Sequence, residues 1–192
     1  MDFEAIIERI WPDVRKRHLF PELHLPKLVD EDSDIGVQMR NKRINLSASL
    51  CESLSDHLPP EQVLEGLLDH GVAHHTVCPW DFDTYLGLYA ALKPELLDGE
   101  LVKQVVDFFM DVGVDTHCVK ERNSVLPELY RVTDSVGVQK IMKGLYQQIW
   151  GVDLGVSIDP EVASRLSRIP YLDRKRWTEA IRSFARVVAP LV

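Results

Sequence analysis

The chain lacks a long hydrophobic run. Its longest apolar stretches, such as residues 86–92, are only a few residues long, far short of the roughly 20 that cross a bilayer. We therefore expect no membrane association. The first residues, Met-Asp-Phe-Glu-Ala, carry neither the basic nor the apolar region of a secretory signal, so we expect no signal peptide. Cysteine is scarce, odd in number and irregularly spaced (Cys51, Cys78 and Cys118), which indicates a reducing, cytoplasmic compartment.

Basic charge is also in deficit. Lys and Arg number 22 against 30 Asp and Glu, which gives a net charge of −8 at pH 7. Nucleic-acid-binding proteins usually carry a basic surface, so we expect no nucleic-acid partner. The 45% hydrophobic content and the absence of low-complexity tracts predict a folded chain. We predict a single domain over residues 1–192, with a core at 1–120 and a helical extension at 121–192.

Apolar residues recur at helical spacing through most of the chain. Two short alternating segments, Ile35–Met39 and Ile44–Leu46, instead predict a β-hairpin with a two-residue turn at Asn41–Lys42. The fold class is therefore α+β: mostly helical, with one small sheet near the N-terminal side and an additional C-terminal helical segment. Helices are predicted over residues 2–17, 47–56, 60–77, 81–92, 100–119 and 139–150, with shorter ones after Asp159 and Asp173.

Three of the seven histidines cluster in the segment Leu68-Asp-His-Gly-Val-Ala-His-His75. His70 and His74 are four residues apart, so in a helix they lie on one face, about 5.4 Å apart along the axis. Two imidazoles in this arrangement can bind one metal ion. The same spacing also fits an ordinary polar helix face.

A second segment places three carboxylates on one face of a largely apolar helix. Asp107, Asp111 and Asp115 follow one another at intervals of four residues. Acids in such surroundings are costly unless they are paired, solvated or bound to a cation. Two histidines and one of these acids would make a three-ligand zinc site with an open position. A solvated acidic stripe, or a closed zinc site made by the two histidines with Cys78 and Cys118, remains an alternative.

The order of these motifs resembles the minimal gluzincin-type zinc metallopeptidases. In that family an edge strand with a sequence similar to Arg43-Ile-Asn-Leu46 precedes a helix of the form "PEE…VLxHExxH". The corresponding helix of this chain has the sequence Pro60-Glu-Gln-Val-Leu-Glu-Gly-Leu-Leu-Asp-His-Gly-Val-Ala-His74. A later helix supplies an acidic ligand, followed four residues on by a second acid, as in Asp111-x-x-x-Asp115. The resemblance covers residues 1–120 and is strongest over 43–74.

The resemblance implies a zincin-like fold, a bound Zn²⁺ ion and a hydrolase that acts on a peptide or protein substrate. It implies that His70 and His74 are the helix ligands and that Asp111 stands where the family has a ligand glutamate. Asp115 would orient a histidine. Strand residues near Asn45 would line the cleft and pair with an extended peptide.

One departure from the family concerns the general base. The glutamate of the His-Glu-x-x-His motif, which activates the metal-bound water, is Gly71 here. On a helical wheel His75 lies on the same flank as Gly71, and Asp69 lies on the opposite flank. His75 is therefore the predicted substitute base or an additional ligand, although a helix-end histidine is the simpler interpretation.

Two functions follow from this departure. The first is a zinc-dependent hydrolase with an altered base, and the second is a catalytically inactive zincin-fold binding or scaffold module. If Gly71 points into an open cleft, Gly71→Glu should fold at least as stably as the wild type and keep its metal, because glycine is a poor helix former.

Overall fold

Nine α-helices and one three-stranded sheet form the part of the chain, residues 2–30 and 35–192, that this computed structural model describes. None of these helices has the length and apolarity that crossing a membrane requires. The predicted fold class, mostly helical with a small sheet near the N-terminal side, is confirmed. The helices are α1 (Phe3–Arg17), α2 (Ala48–Ser55), α3 (Pro60–Thr76), α4 (Phe82–Leu92), α5 (Gly99–Arg122), α6 (Leu126–Val132), α7 (Gly137–Trp150), α8 (Pro160–Ser167) and α9 (Trp177–Val188), and the strands are β1 (Lys27–Val29), β2 (Ile35–Gln38) and β3 (Arg43–Ser47).

The sheet has the order β1-β3-β2, with β3 parallel to β1 and antiparallel to β2. The predicted hairpin is present, but its turn spans the four residues 39–42 rather than two. Strand β1 was not predicted. Strand β1 pairs with β3 on the side away from β2. Asn45, which lies in β3, therefore has a partner strand on both sides. The expectation that β3 offers a free edge to an extended peptide is therefore wrong.

Helices α3 and α5 position the candidate site. Helix α3 begins at Pro60, whose missing N–H costs nothing in the first turn of a helix. Helix α5 begins after Asp98, whose side chain accepts hydrogen bonds from the backbone N–H groups of Glu100 and Leu101. It ends at Asn123, which adopts the left-handed conformation that terminates many helices. The two helices pack against each other, which places the histidines of α3 beside the acids of α5.

Two hydrophobic clusters meet at α3. One is built by α1, α2, β3 and most of α3, and the other by α4, α5, α7, α8 and α9. Val72 belongs to the first cluster and the adjacent Ala73 to the second. The C-terminal half of α3 is therefore held from both sides, and its histidines extend from a backbone fixed by packing.

Candidate metal centre

Three side chains converge between α3 and α5. The ligand atoms of His70, His74 and Asp111 all lie within 4.8 Å of one another. His74 Nε2 is 3.1 Å from His70 Nε2 and 3.3 Å from Asp111 Oδ1. The distance from His70 Nε2 to Asp111 Oδ1 is 4.0 Å. These are the residues that the family resemblance implies as ligands, and they form a group that could hold a metal ion.

The separations and the donor set fit zinc. Ligand atoms bound at 2.0–2.1 Å to one tetrahedral ion lie about 3.3 Å apart. The two shorter distances in this group, 3.1 and 3.3 Å, are close to that value, and the third, at 4.0 Å, is longer. Two imidazole nitrogens and a carboxylate oxygen are a common three-ligand set for zinc. The Asp111 side chain is 35% exposed, so the group is open on one side.

The outer contacts of the two histidines fix their tautomers. His74 Nδ1 lies 2.9 Å from the carbonyl oxygen of Cys78. Because a carbonyl only accepts, Nδ1 carries the proton and Nε2 keeps its lone pair. His70 Nδ1 donates in the same way to Asp115 Oδ1 at 2.7 Å. The two Nε2 atoms therefore face each other and the Asp111 carboxylate, an arrangement that requires a cation or a proton between them.

Asp115 controls the charge of His70. It is completely buried, which works against its charged form, but His70 and the hydroxyls of Tyr130 and Tyr146 hold its pKa below the ordinary value. Burial would likewise lower the pKa of His70, but the carboxylates of Asp115 and Asp111 raise it to about 9. A metal ion at this site must therefore displace a proton from His70. Asp115 also makes the ring a more basic ligand.

The three residues lie in the wall of a cavity of about 980 Å³. Asp107 lines the same cavity one helical turn before Asp111. Burial, and then the negative charge of Asp111, raise the pKa of Asp107 to about 6. The three acids of α5 therefore have different positions: Asp111 joins the histidines, Asp115 lies behind His70, and Asp107 faces the cavity beside the group.

The two flanking candidates for a base lie away from this cavity. His75 is not among the described residues that line it. Burial, and then the charge of His74, lower the pKa of His75 to about 4. The role of His75 as a substitute base stays a prediction, and its location outside the cavity lining does not favour that role. Asp69 is fully buried, and its Oδ1 lies 3.1 Å from both the Arg17 guanidinium and the His18 ring.

Gly71 packs against the sheet rather than facing the cavity. A Cβ atom at this position would lie 2.8 Å from Cγ2 of Ile44, which is itself completely buried in β3. Contacts this short do not occur without movement of a neighbour. The premise that Gly71 points into an open cleft is therefore wrong, and we expect Gly71→Glu to be less stable than the wild type. Hydrocarbon from Ile44 fills the space beside α3 where the family resemblance places the general base.

The cysteines do not join the group. Within residues 2–30 and 35–192, the cluster with converging ligand atoms contains no thiol. Cys78 contributes its carbonyl oxygen to His74 instead, and Cys118 Sγ lies 3.5 Å from the carbonyl oxygen of Asp69. The alternative of a closed site with two cysteines is therefore not supported.

Tyr130 belongs to the site although nothing in the sequence predicts it. Its hydroxyl donates to Asp115 Oδ2 at 2.6 Å, so both oxygens of Asp115 are held. Tyr130 belongs to α6, a short helix that was not predicted, and no local motif marks it.

No family model, curated protein or solved structure matches this chain. The likeness to gluzincin metallopeptidases therefore depends on the sequence motifs and on the His-His-Asp group alone.

Proposed function

We propose that this protein binds one Zn²⁺ ion through His70, His74 and Asp111 and presents that ion to a ligand in the adjoining cavity. The observation that carries the proposal is the convergence of two imidazole Nε2 atoms and a carboxylate oxygen at separations close to those of zinc ligands. When bound, the ion would supply a Lewis-acid centre. The protein's own part is to hold His70 in one tautomer through Asp115, which Tyr130 holds in turn.

The contact between Gly71 and Ile44 favours a zincin-like binding module over a peptidase of the usual kind. A general base must lie within hydrogen-bond reach of the proton that it takes, directly or through one water. At position 71 there is no carboxylate, and the adjoining space is occupied by the Ile44 side chain. The ion would therefore serve mainly to bind a ligand.

A zinc-dependent hydrolase with an altered base is the second candidate, and Asp107 favours it. This carboxylate lines the cavity one helical turn from Asp111, and its pKa of about 6 suits a group that takes up a proton near neutral pH. The substrate class that the family resemblance implies is a peptide or protein.

Metal content and thermal unfolding test the zinc site. Protein purified without chelator should contain about one zinc per chain, and a chelator should lower its melting temperature, because the ion binds the folded chain more tightly than the unfolded one. His74→Ala should contain no zinc and should not respond to chelator. His24→Ala, which changes an exposed histidine, is the matched control and should behave as the wild type. Equal chelator responses in wild type and His74→Ala would refute the assignment.

A peptide-cleavage assay separates the two functions. If the protein is a hydrolase, the zinc-loaded wild type should cleave a mixture of fluorogenic peptides, and Asp107→Asn should lose most of this activity while keeping its zinc. Asp13→Asn, which changes an exposed acid of α1, should cleave as the wild type does. If the zinc-loaded wild type cleaves no peptide, the hydrolase is refuted and the binding module remains as the proposed function.

A further inference from the structure

The loop that follows α3 holds the outer side of His74. The ring of His74 donates from Nδ1 to the carbonyl oxygen of Cys78, and the backbone N–H of Trp80 donates to the carbonyl oxygen of His74 at 3.0 Å. Both partners belong to the loop, residues 78–80, and neither belongs to a helix. The orientation of the His74 ring therefore depends on the conformation of this loop.

Trp80 has a backbone conformation that needs support from outside the loop. Its φ angle of 52° lies in the left-handed region, which is unfavourable for a residue with a bulky side chain. A residue keeps such a conformation only where the surrounding structure determines it. Contacts to the Trp80 side chain therefore decide whether the loop keeps its shape.

Two residues of the C-terminal segment contact the ring of Trp80. Cζ of Arg174 lies 4.3 Å from the centre of this ring, which is a cation–π contact, and the ring of Trp177 lies 5.5 Å away. Arg174 also donates from Nη2 to the carbonyl oxygen of Thr76, the last residue of α3, at 3.3 Å. A cation at the C-terminal end of a helix is favourable, because the last carbonyl groups lack partners within the helix. Arg174 thus joins the end of α3 to the loop.

We propose that Arg174 is a positioning residue for the metal ligand His74, an inference that rests on the proposed zinc site. Arg174 holds the Trp80 ring, the loop keeps its shape, and the carbonyl oxygen of Cys78 stays on Nδ1 of His74. Nε2 of His74 then faces the other two ligands. Arg174 is not among the described residues that line the cavity, so it acts on the metal centre through the loop.

The sign of the effect separates positioning from simple charge. A guanidinium repels a divalent cation, so removal of the Arg174 charge would by itself strengthen zinc binding. Loss of positioning weakens zinc binding, because the outer contacts of a ligating histidine are worth about 10- to 100-fold in metal affinity. Arg174 acts through an intermediate residue, so we expect the lower end of this range, about tenfold.

Competition with a chromophoric chelator measures the zinc affinity of Arg174→Met, which keeps an apolar side chain and loses the guanidinium. The affinity should fall about tenfold, and Arg174→Lys, which restores a cation over the ring, should recover part of the loss. Lys175→Met is the control, because it removes the same charge from an exposed residue of the same short turn, Arg174–Arg176. This control should bind zinc no more weakly than the wild type. An affinity of Arg174→Met that equals or exceeds that of the wild type would overturn the proposal.

Proton NMR of the metal-free protein tests the same contacts without zinc. The Nδ1 proton of His74 is buried and hydrogen-bonded to Cys78, so it should exchange slowly with water, and its absence in His74→Ala assigns the signal. Arg174→Met should lose this signal through faster exchange, whereas the Nδ1 proton of His70, which Asp115 holds, should keep its own. An unchanged His74 signal in Arg174→Met would refute the role of Arg174. Loss of this signal in a protein whose wild type binds no zinc would instead refute the metal centre and leave the coupling of Arg174 to His74 in place.

Trp80→Leu makes the test independent of the stability of Arg174→Met. It removes the ring that Arg174 contacts, so it should weaken zinc binding by a similar factor. Adding Arg174→Met to Trp80→Leu should then have little further effect, because both changes break one contact. Zinc binding by Trp80→Leu at wild-type strength would count against the proposal.

Discussion

Replacing Gly71 with alanine tests the contact between α3 and β3 that separates this protein from the peptidase pattern. The added Cβ would lie 2.8 Å from Cγ2, 3.1 Å from Cδ1 and 3.3 Å from Cγ1 of Ile44. Overpacking of a well-packed core costs about 1–3 kcal/mol, whereas the higher helix propensity of alanine contributes about 1 kcal/mol of stability. We expect a net loss of about 1 kcal/mol in the free energy of unfolding.

A second helical glycine supplies the control. Gly87 of α4 is exposed, and nothing lies within 4 Å of a Cβ placed there. Gly87→Ala should therefore show the propensity effect alone, a gain of about 1 kcal/mol. The difference between the two variants measures the cost of the contact with Ile44.

Ile44→Ala completes a double-mutant cycle. This substitution removes all three Ile44 atoms near Gly71 and should cost about 2–5 kcal/mol by itself. In that background Gly71→Ala should become stabilising, because its Cβ enters the space left behind. Urea unfolding followed by circular dichroism gives each free energy, with unchanged m values as the check on two-state behaviour. If Gly71→Ala stabilises the otherwise wild-type protein as much as Gly87→Ala does, the packing argument is wrong.

Three further predictions concern the metal centre and the thiols. Asp115→Asn should weaken zinc binding about 10- to 100-fold, because His70 loses its charged acceptor; competition with a chromophoric chelator measures this, and an unchanged affinity would contradict it. Tyr130→Phe should act in the same direction by at most about tenfold, since it frees only the second oxygen of Asp115; an effect larger than that of Asp115→Asn would show that Tyr130 has another role. Native protein should react slowly with a thiol reagent at pH 8 and rapidly after unfolding in urea, because burial raises the pKa of Cys51 to about 11 and all three cysteines are buried; immediate reaction of native thiols would contradict this.

Local spacing was enough to predict the elements that carry the metal centre. The i, i+4 pairs His70/His74 and Asp111/Asp115 each define one helix face wherever the helix packs. The long apolar repeat of α5 and the alternation in β3 were also sufficient to assign those elements, because both patterns extend over enough residues to be distinctive. Spacing alone could not decide which of the three acids is the third ligand, since all three share one helix face; the family resemblance implied Asp111, and packing brings Asp111 to the histidines.

The features that sequence could not predict depend on contacts between distant segments. Strand β1 has three residues, too few for an alternating pattern, and its pairing with β3 is what removes the free edge. No local pattern around His18 indicates its partner, yet its ring is buried against Asp69, 51 positions later. The filling of the space beside Gly71 by Ile44 likewise follows from the closeness of α3 and β3, which no local pattern encodes.

X-ray absorption at the zinc edge tests the central claim most directly, because it reports the atoms bound to the metal in the folded protein. The account predicts one zinc per chain with two imidazole nitrogens and at least one oxygen at about 2.0–2.2 Å, and no sulfur. His74→Ala should lose this spectrum, and His24→Ala should keep it. Sulfur at about 2.3 Å, or a spectrum unchanged in His74→Ala, would contradict the account.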